Sequence, residues 1–214
     1  MPTLIETDSI QSCVTLCKEL SLQFIEINMN LPKYQTSNMN LDELLSLKDE
    51  NGLYYTIHLD ENFNIADFNY KIANAYMDTF IETIAIAKKF QVPVINMHMS
   101  DGVYFTMPDR RIYLFEQYMN EYLSKIAAFR EICEREIKSL DIKICIENTL
   151  WHGKKFIHEG IKALLESPVF GLTYDVGHDH SSGGFDNEFF IKNEKRLCHM
   201  HLHDALGKIH HLAL

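Results

Sequence analysis

Short apolar segments that end on an acidic or histidine residue recur along this chain at regular spacing. Seven segments are predicted to be strands: residues 2–7, 22–28, 53–59, 92–99, 142–147, 169–175 and 197–203. Segments with apolar residues at helical spacing separate them, and this alternation indicates a parallel sheet covered by helices. The repeat is about 30 residues long, the size of one βα unit. The 214 residues are therefore predicted to form one α/β domain spanning 1–214.

Two folds are built from such repeats, a closed βα-barrel and an open doubly wound sheet. An open sheet binds ligands mainly in one crevice, commonly beside a glycine-rich phosphate loop. The chain has no G-x-G-x-x-G motif and no Walker motif. A barrel instead brings the carboxyl ends of all its strands to one mouth, where sites collect. Acidic and histidine residues at successive strand ends therefore favour a TIM (β/α)8-type barrel.

The residues at the strand ends have the chemistry of metal ligands. The sixth segment ends on Asp175, and Gly177 and His178 are expected in the loop beyond it. The other segments end on or near His58, His98, Glu147 and the group His199, His201, His203 and Asp204. The three histidines of that group alternate along one strand and share a face, and we expect at most two to be functional. Oxygen and imidazole ligands suit Mn²⁺, Mg²⁺, Co²⁺ or Zn²⁺, so a divalent-metal site is predicted at this end.

Taken together, these motifs resemble the xylose-isomerase-like TIM-barrel superfamily, which includes sugar-phosphate isomerases and epimerases and endonuclease IV. The resemblance rests on His58, His98, Ile-Glu-Asn-Thr with Glu147, Asp-Val-Gly-His with Asp175 and His178, and His-Leu-His-Asp with His201. It implies one divalent cation held by Glu147, Asp175 and His201, plus an acidic ligand from an eighth strand. A second cation, as in endonuclease IV, would use His58, His98 and Glu147. A third would use His178 and His211, although Ile209 stands where that enzyme has an aspartate.

The resemblance also implies catalytic roles. Metal-bound carboxylates in the family's isomerases and epimerases remove and return a proton next to a carbonyl, so Glu147 would be both ligand and acid/base. His178 would orient the substrate, and Asn148 or Asp204 could fix the ligands. Substrate contacts are expected from Glu26, His58, His98, His178 and Trp151. Structural alternatives remain open: polar packing in the mouth for His58 and His98, loop packing for Trp151, and ion pairing for Glu26.

The leading interpretation is a divalent-metal-dependent isomerase or epimerase of a small sugar or sugar phosphate. One alternative is an endonuclease IV-like phosphodiesterase at abasic DNA sites, and another is a barrel that binds metal or sugar without turnover. The formal net charge of −10 argues against a nucleic-acid partner, since such proteins usually carry a basic face. The sequence leaves the substrate, the metal and any homo-oligomer open.

The remaining sequence features concern location and the ends of the chain. The five cysteines form no C-x-x-C pair, so we expect reduced thiols in the cytoplasm. No secretory signal pattern and no apolar run of ~18 residues is present, so no membrane association is expected. Asp8 is predicted to cap the first helix, and Pro108 to start another.

The last predicted strand, 197–203, lies close to the end of the sequence. An eighth βα unit would need roughly 40 more residues to reach the usual size of such a barrel. We therefore predict a C-terminally incomplete barrel that lacks the eighth unit. Its sheet should have a gap between the segments 2–7 and 197–203.

Overall fold

A parallel sheet is the centre of the computed structural model, which describes residues 1–149, 151–207 and 209–212. Its strands are β1 (Phe24–Asn28), β2 (Tyr54–His58), β3 (Val94–Met97), β6 (Lys143–Glu147), β7 (Phe170–Asp175) and β8 (Leu197–His201). Two antiparallel hairpins are formed by β4 (Tyr104–Thr106) with β5 (Arg111–Tyr113), and by β9 (Asp204–Leu206) with β10 (Ile209–Leu212). The sheet order in the described residues is β1-β2-β3-β6-β7-β8, with every neighbouring pair parallel.

Helices cover the outer face of this sheet. They are α1 (Ile10–Glu19), α2 (Leu41–Asn51), α3 (Tyr70–Phe90), α4 (Leu114–Gln117), α5 (Met119–Ile137), α6 (Lys155–Leu165), α7 (Val176–Ser182) and α8 (Asn187–Lys192). Phe129 of α5 joins helix to sheet, with ring centroids 5.0 Å from Phe80 of α3 and 5.9 Å from Phe170 of β7. All three rings are buried. Within the described ranges, no helix has the length and apolar character needed to cross a bilayer.

The sheet is curled until its two edge strands face each other across the interior. His199 Nε2 on β8 lies 3.2 Å from Glu26 Oε2 on β1. No backbone pairing joins β1 to β8 among the described residues, so the sheet is open on this side. The architecture is that of a TIM-type barrel without an eighth strand in this part of the chain, and the predicted gap is confirmed.

The strand predicted over 2–7 is wrong, because only its first residues extend the sheet. Pro2 forms a single parallel bridge to Glu26, whose backbone N–H and C=O bond Met1 and Thr3. The Thr7 hydroxyl then donates to the carbonyl of Leu4 at 2.9 Å, and this turn ends the extended segment.

The residue that caps α1 also differs from the prediction. Ser9 rather than Asp8 is the N-cap, and its Oγ accepts the backbone N–H of Ser12 at 3.1 Å. The two candidates are neighbours in the chain, and sequence patterns place helix boundaries least precisely.

Pro108 does not start a helix. It lies in the connection between β4 and β5, where the N–H of Met107 donates to the carbonyl of Arg110 at 2.8 Å. Proline is favoured at the second position of such a four-residue turn, because its fixed φ suits the turn. The next helix, α4, begins only at Leu114.

Candidate metal centre

The carboxylate of Glu147, at the carboxyl end of β6, is surrounded by four imidazole rings. His58 Nε2, His98 Nε2 and His201 Nδ1 lie 3.3, 3.2 and 3.0 Å from Oε2, and His178 Nδ1 lies 3.4 Å from Oε1. Burial alone would raise the pKa of Glu147, but hydrogen bonds from these imidazoles hold that pKa well below its usual range. The predicted ligands from four different strand ends therefore converge on one buried anion.

Asp175, at the end of β7, supplies the second carboxylate and is also buried. Its Oδ1 accepts the backbone N–H of His178 at 2.6 Å and thereby caps α7. The segment after Asp175 is therefore a short helix, and the predicted loop is wrong because the carboxylate satisfies a backbone donor of that helix. His201 Nδ1 lies 3.8 Å from Asp175 Oδ2 and faces both carboxylates.

Two asparagines hold the carboxylate strands in place. Asn148, a predicted orienting residue, accepts the N–H of Asp175 at 2.7 Å and donates to its carbonyl at 3.0 Å. Asn96 on β3 was not predicted, although it stands two residues before His98 in an apolar strand. Its amide donates to Glu147 Oε2 and accepts the Thr173 hydroxyl at 2.6 Å. Both amides are fully buried: Asn96 fixes the carboxylate of Glu147, and Asn148 fixes the backbone that carries Asp175.

The backbone also selects which nitrogen of His58 faces the centre. Its Nδ1 lies 2.7 Å from the carbonyl of Leu59, which places a proton on Nδ1. Nε2 then faces Glu147: when protonated it donates a hydrogen bond to the carboxylate, and when neutral it presents its lone pair to a cation. This is the arrangement by which a backbone carbonyl orients a metal-binding histidine.

His203 is a site residue beyond those predicted individually. Its Nε2 lies 3.0 and 3.1 Å from the two oxygens of Asp175. Its ring stacks on that of His211 with centroids 4.2 Å apart, and His211 Nε2 lies 3.3 Å from His178 Nε2. The β9–β10 hairpin thus folds back over α7 and places His211 beside His178 and His203.

Gly177 makes room for His203. A Cβ at this position would lie 2.0 Å from Cε1 and 2.2 Å from Nδ1 of the His203 ring. We predict that Gly177→Ala moves His203 off Asp175 and weakens divalent-metal binding by ~10–100-fold, as for loss of a group that orients a ligand. Titration calorimetry with Mn²⁺ on the variant and the parent protein measures this.

The double variant Gly177→Ala/His203→Ala is the control. If the added methyl acts through the His203 ring, it has no further effect once that ring is removed. A loss of affinity that is equally large in the His203→Ala background would contradict this account. The helical backbone of α7 accepts alanine readily, so the fold should be retained.

Glu26, predicted to contact substrate, is buried on β1 and faces two histidines of β8. His199 Nε2 lies 3.2 Å from its Oε2, and His201 Nε2 lies 3.0 Å from its Oε1. Burial would lower the pKa of His201, but Glu147 and Glu26 raise it to about 10. Glu26 therefore holds the far side of the His201 ring, and this placement matches the ion-pairing alternative.

Two residues singled out in the sequence lie away from the cluster. Trp151 is fully buried, with its ring parallel to that of Phe190 of α8 at 5.7 Å, as the packing alternative anticipates. Asp204 is exposed in β9, where its Oδ1 accepts the N–H of Ala205 at 2.8 Å. Neither side chain is brought to the Glu147 carboxylate.

The donor set fits a divalent cation. Among the described residues, four groups of three could each hold a metal ion, because the three ligand atoms of a group lie within 4.8 Å of one another. The groups are Glu147, Asp175 and His201; His58, His98 and Glu147; His178, His203 and His211; and Glu26, His199 and His201. Ligands at about 2.0–2.3 Å from one ion lie roughly 3–4.6 Å apart. Two buried carboxylates facing several imidazoles are the oxygen and nitrogen donors that Mn²⁺, Mg²⁺, Co²⁺ and Zn²⁺ accept.

The basic residues of the loops at the mouth are largely paired with acids. Lys154 Nζ lies 2.7 Å from an oxygen of Asp101, and Arg110 lies 2.8 Å from Asp109. Arg111 lies over the ring of Tyr104, 4.8 Å from its centroid. The charges of Lys154 and Arg110 are therefore compensated by neighbouring acids and attract a polyanion less strongly.

Comparison with known proteins places this architecture in a family. The model of the xylose isomerase-like TIM barrel matches residues 14–212. A D-tagatose 3-epimerase-like protein has a TM-score of 0.72 and 24% identity, covering 94% of this chain and 74% of its own. The 3-keto-D-glucoside 4-epimerase of E. coli has a TM-score of 0.70 and 15% identity, and the match covers 95% of this chain and 78% of the epimerase. Endonuclease IV of Thermus thermophilus has a TM-score of 0.64 and 15% identity, and the match covers 99% of this chain and 80% of the endonuclease. The chain belongs to the xylose isomerase-like TIM-barrel family.

Proposed function

We propose that this protein is a divalent-metal-dependent isomerase or epimerase of a small sugar or sugar phosphate. The observation that carries the proposal is the convergence of Glu147 and Asp175, from neighbouring strands, on Nδ1 of His201. These three residues would hold the cation, which supplies polarisation of a substrate oxygen and makes the adjacent C–H more acidic. The epimerases among the structural neighbours support this choice of reaction.

Glu147 is the proposed acid/base. Its carboxylate is ionised near neutral pH, because hydrogen bonds from the imidazoles outweigh the effect of burial on its pKa. Asn96 fixes one of its oxygens, so the direction of proton transfer is set by the sheet rather than by a mobile side chain. Isomerisation would return the proton to the neighbouring carbon on the same face, whereas epimerisation would need a second acid on the opposite face.

His178 is the proposed substrate-orienting group. Its Nδ1 lies 3.0 Å from the carbonyl of Asn148, and its backbone N–H is held by Asp175. The ring is thereby fixed, with Nε2 turned toward His211 and the C-terminal hairpin. A hydroxyl bound at that edge would lie beside His211, while Nδ1 of the same ring faces the two carboxylates.

A second candidate is an endonuclease IV-like phosphodiesterase. It is favoured by the two further ligand groups, His58–His98–Glu147 and His178–His203–His211, which would suit a site with several cations. Against it stand the net charge of −10 and the paired cations of the mouth. A non-catalytic metal- or sugar-binding barrel is the third alternative.

Solvent exchange distinguishes these functions. We expect the Mn²⁺-loaded protein, incubated in D₂O with ketoses and ketose phosphates, to introduce deuterium next to the carbonyl, measured by NMR. Cleavage of an abasic-site oligonucleotide without exchange on any sugar would instead support the phosphodiesterase. Metal binding with neither reaction would support the non-catalytic barrel.

A further inference from the structure

Two of the five cysteines approach each other across a glycine of the sheet. Cys145 on β6 is the register partner of Gly171 on β7. The register between β7 and β8 shifts, with Leu172 opposite Leu197 but Thr173 opposite His199, so Cys198 is the extra residue of a bulge. A Cβ on Gly171 would lie 2.7 Å from the Cys198 sulfur. That sulfur therefore occupies the space that the glycine leaves.

The curl of the sheet also brings the flanking strands β6 and β8 close to each other. Cα atoms of β6 and β8 come within 8 Å of each other although β7 lies between them. Flat neighbouring strands are about 4.8 Å apart, so two strands separated by a third would lie at roughly 9.6 Å. The missing side chain at Gly171 and the bulge at Cys198 together let the two thiols meet.

The two thiols differ in accessibility. Cys198 is exposed, whereas Cys145 is fully buried. The two thiols lie within hydrogen-bonding reach of each other. An exposed thiol is the one that an oxidant in solution reaches first, and a buried neighbour suits a resolving thiol.

We propose that Cys198 and Cys145 form an oxidation site, in which a hydroperoxide converts the pair into a disulfide between β8 and β6. The Cys198 thiolate attacks the peroxide oxygen, the O–O bond breaks, and Cys198 becomes a sulfenic acid as the leaving oxide takes up a proton. The sulfur of Cys145 then attacks the sulfenic sulfur, an S–S bond forms and water leaves with the Cys145 proton. Two thiols are oxidised and one hydroperoxide is reduced to an alcohol, or to water if it is hydrogen peroxide.

Closure of this bond would act on the candidate metal centre. Disulfides need Cα atoms about 4.4–6.8 Å apart, so β8 has to move toward β6. Its other edge pairs with no strand in the described part of the chain, so the movement breaks no backbone ladder on that side. β8 carries His199 and His201, and Glu147 lies two residues beyond Cys145. Oxidation would therefore fix the His201 strand relative to the Glu147 strand.

Peroxide treatment of the reduced, full-length protein tests the proposal. We expect a mass loss of about 2 Da, and a tryptic peptide in which residues 144–154 are joined to residues 197–208. Cys145→Ser should stop at a Cys198 sulfenic acid that dimedone traps, and Cys198→Ser should give no cross-link. At pH 7, iodoacetamide should alkylate Cys198 at least ~10-fold faster than any other cysteine.

The other thiols provide matched controls. Cys13 and Cys17 are buried one turn apart on α1, and Cys133 is buried alone on α5. The double variant Cys13→Ser/Cys17→Ser should form the β6–β8 cross-link at the parental rate. A cross-link through Cys13 or Cys17, a disulfide only between two molecules, or Cys198 alkylation no faster than that of Cys133 would overturn the proposal. None of these readouts depends on catalytic activity.

Discussion

Replacing Glu147 by glutamine is expected to reduce bound divalent metal from about one ion per chain to less than about a tenth, and isomerase activity by ~10³-fold or more. Glutamine keeps the shape of the side chain but removes the negative charge that faces His58, His98, His178 and His201. The remaining ligands then compensate less of the charge of a cation. The acid/base proposed for the reaction is lost in the same step.

Elemental analysis of the dialysed protein and the D₂O exchange assay measure the two losses separately. Glu131→Gln, on the exposed face of α5, is the matched control and should retain both metal and activity. Far-UV circular dichroism verifies that both variants fold. Equal metal content in Glu147→Gln and Glu131→Gln would refute the assignment of Glu147 as a ligand, and full exchange activity in Glu147→Gln would refute its role as acid/base.

The order of the elements and most of the site were predictable because both depend on local patterns. Apolar segments such as 142–147 and 169–175 are β6 and β7 with ends shifted by one residue or none. In a parallel sheet the carboxyl ends lie on one edge, so residues at the ends of such segments meet without any knowledge of loop structure. This is why Glu147, Asp175 and His178 could be nominated from their positions, whereas the choice of His201 among three alternating histidines came from the family resemblance.

The parts that were not predicted depend on contacts between distant segments. Asn96 belongs to the site because its amide reaches Glu147 and Thr173 on strands far along the chain. His203 reaches Asp175 only because Gly177 leaves space for its ring. The indole of Trp151 is covered by α8, which no pattern around residue 151 encodes. Side-chain chemistry identifies such residues as candidates, but the tertiary contacts of the folded chain determine which of them reach the site.

The apparent affinity for Mn²⁺ is expected to rise ~100-fold between pH 6.5 and 8.5 for each proton that the cation displaces. Burial opposes protonation of His201, but Glu147 and Glu26 raise its pKa to about 10, so the metal-free protein carries this proton throughout that range. Glu147 likewise raises the pKa of His58 and of His178, although burial acts against it. A cation needs the unprotonated imidazole, so lowering the pH favours the proton over the metal.

The stability of the metal-free protein should change with pH in the opposite direction. The pKa of His201 in the folded protein is about 10, above the ~6.5 of an unfolded histidine. Protonated His201 therefore adds to the free energy of unfolding in full below pH ~6.5, and this stabilisation is lost as the pH rises through the folded pKa. The pKa of Glu147 is lowered in the folded protein, so its stabilising effect on the fold is present above ~4.3, the pKa of an unfolded glutamate, and is lost at lower pH. The difference in Tm between Mn²⁺-loaded and EDTA-treated protein should therefore grow steadily from pH 6.5 to 8.5.

Titration calorimetry and thermal melts across this pH range measure both effects. His201→Asn should bind Mn²⁺ more weakly and with a shallower dependence on pH, because the group with the largest proton competition is gone. His180→Asn is the matched control, since His180 is exposed at the end of α7 and outside the four ligand groups. Parental Mn²⁺ affinity that is flat with pH, or a His201→Asn slope equal to that of His180→Asn, would show that His201 is not the proton-linked ligand. If the Mn²⁺ affinity of the parent protein rises with pH more steeply than displacement of one proton allows, His58 or His178 also loses a proton when the cation binds.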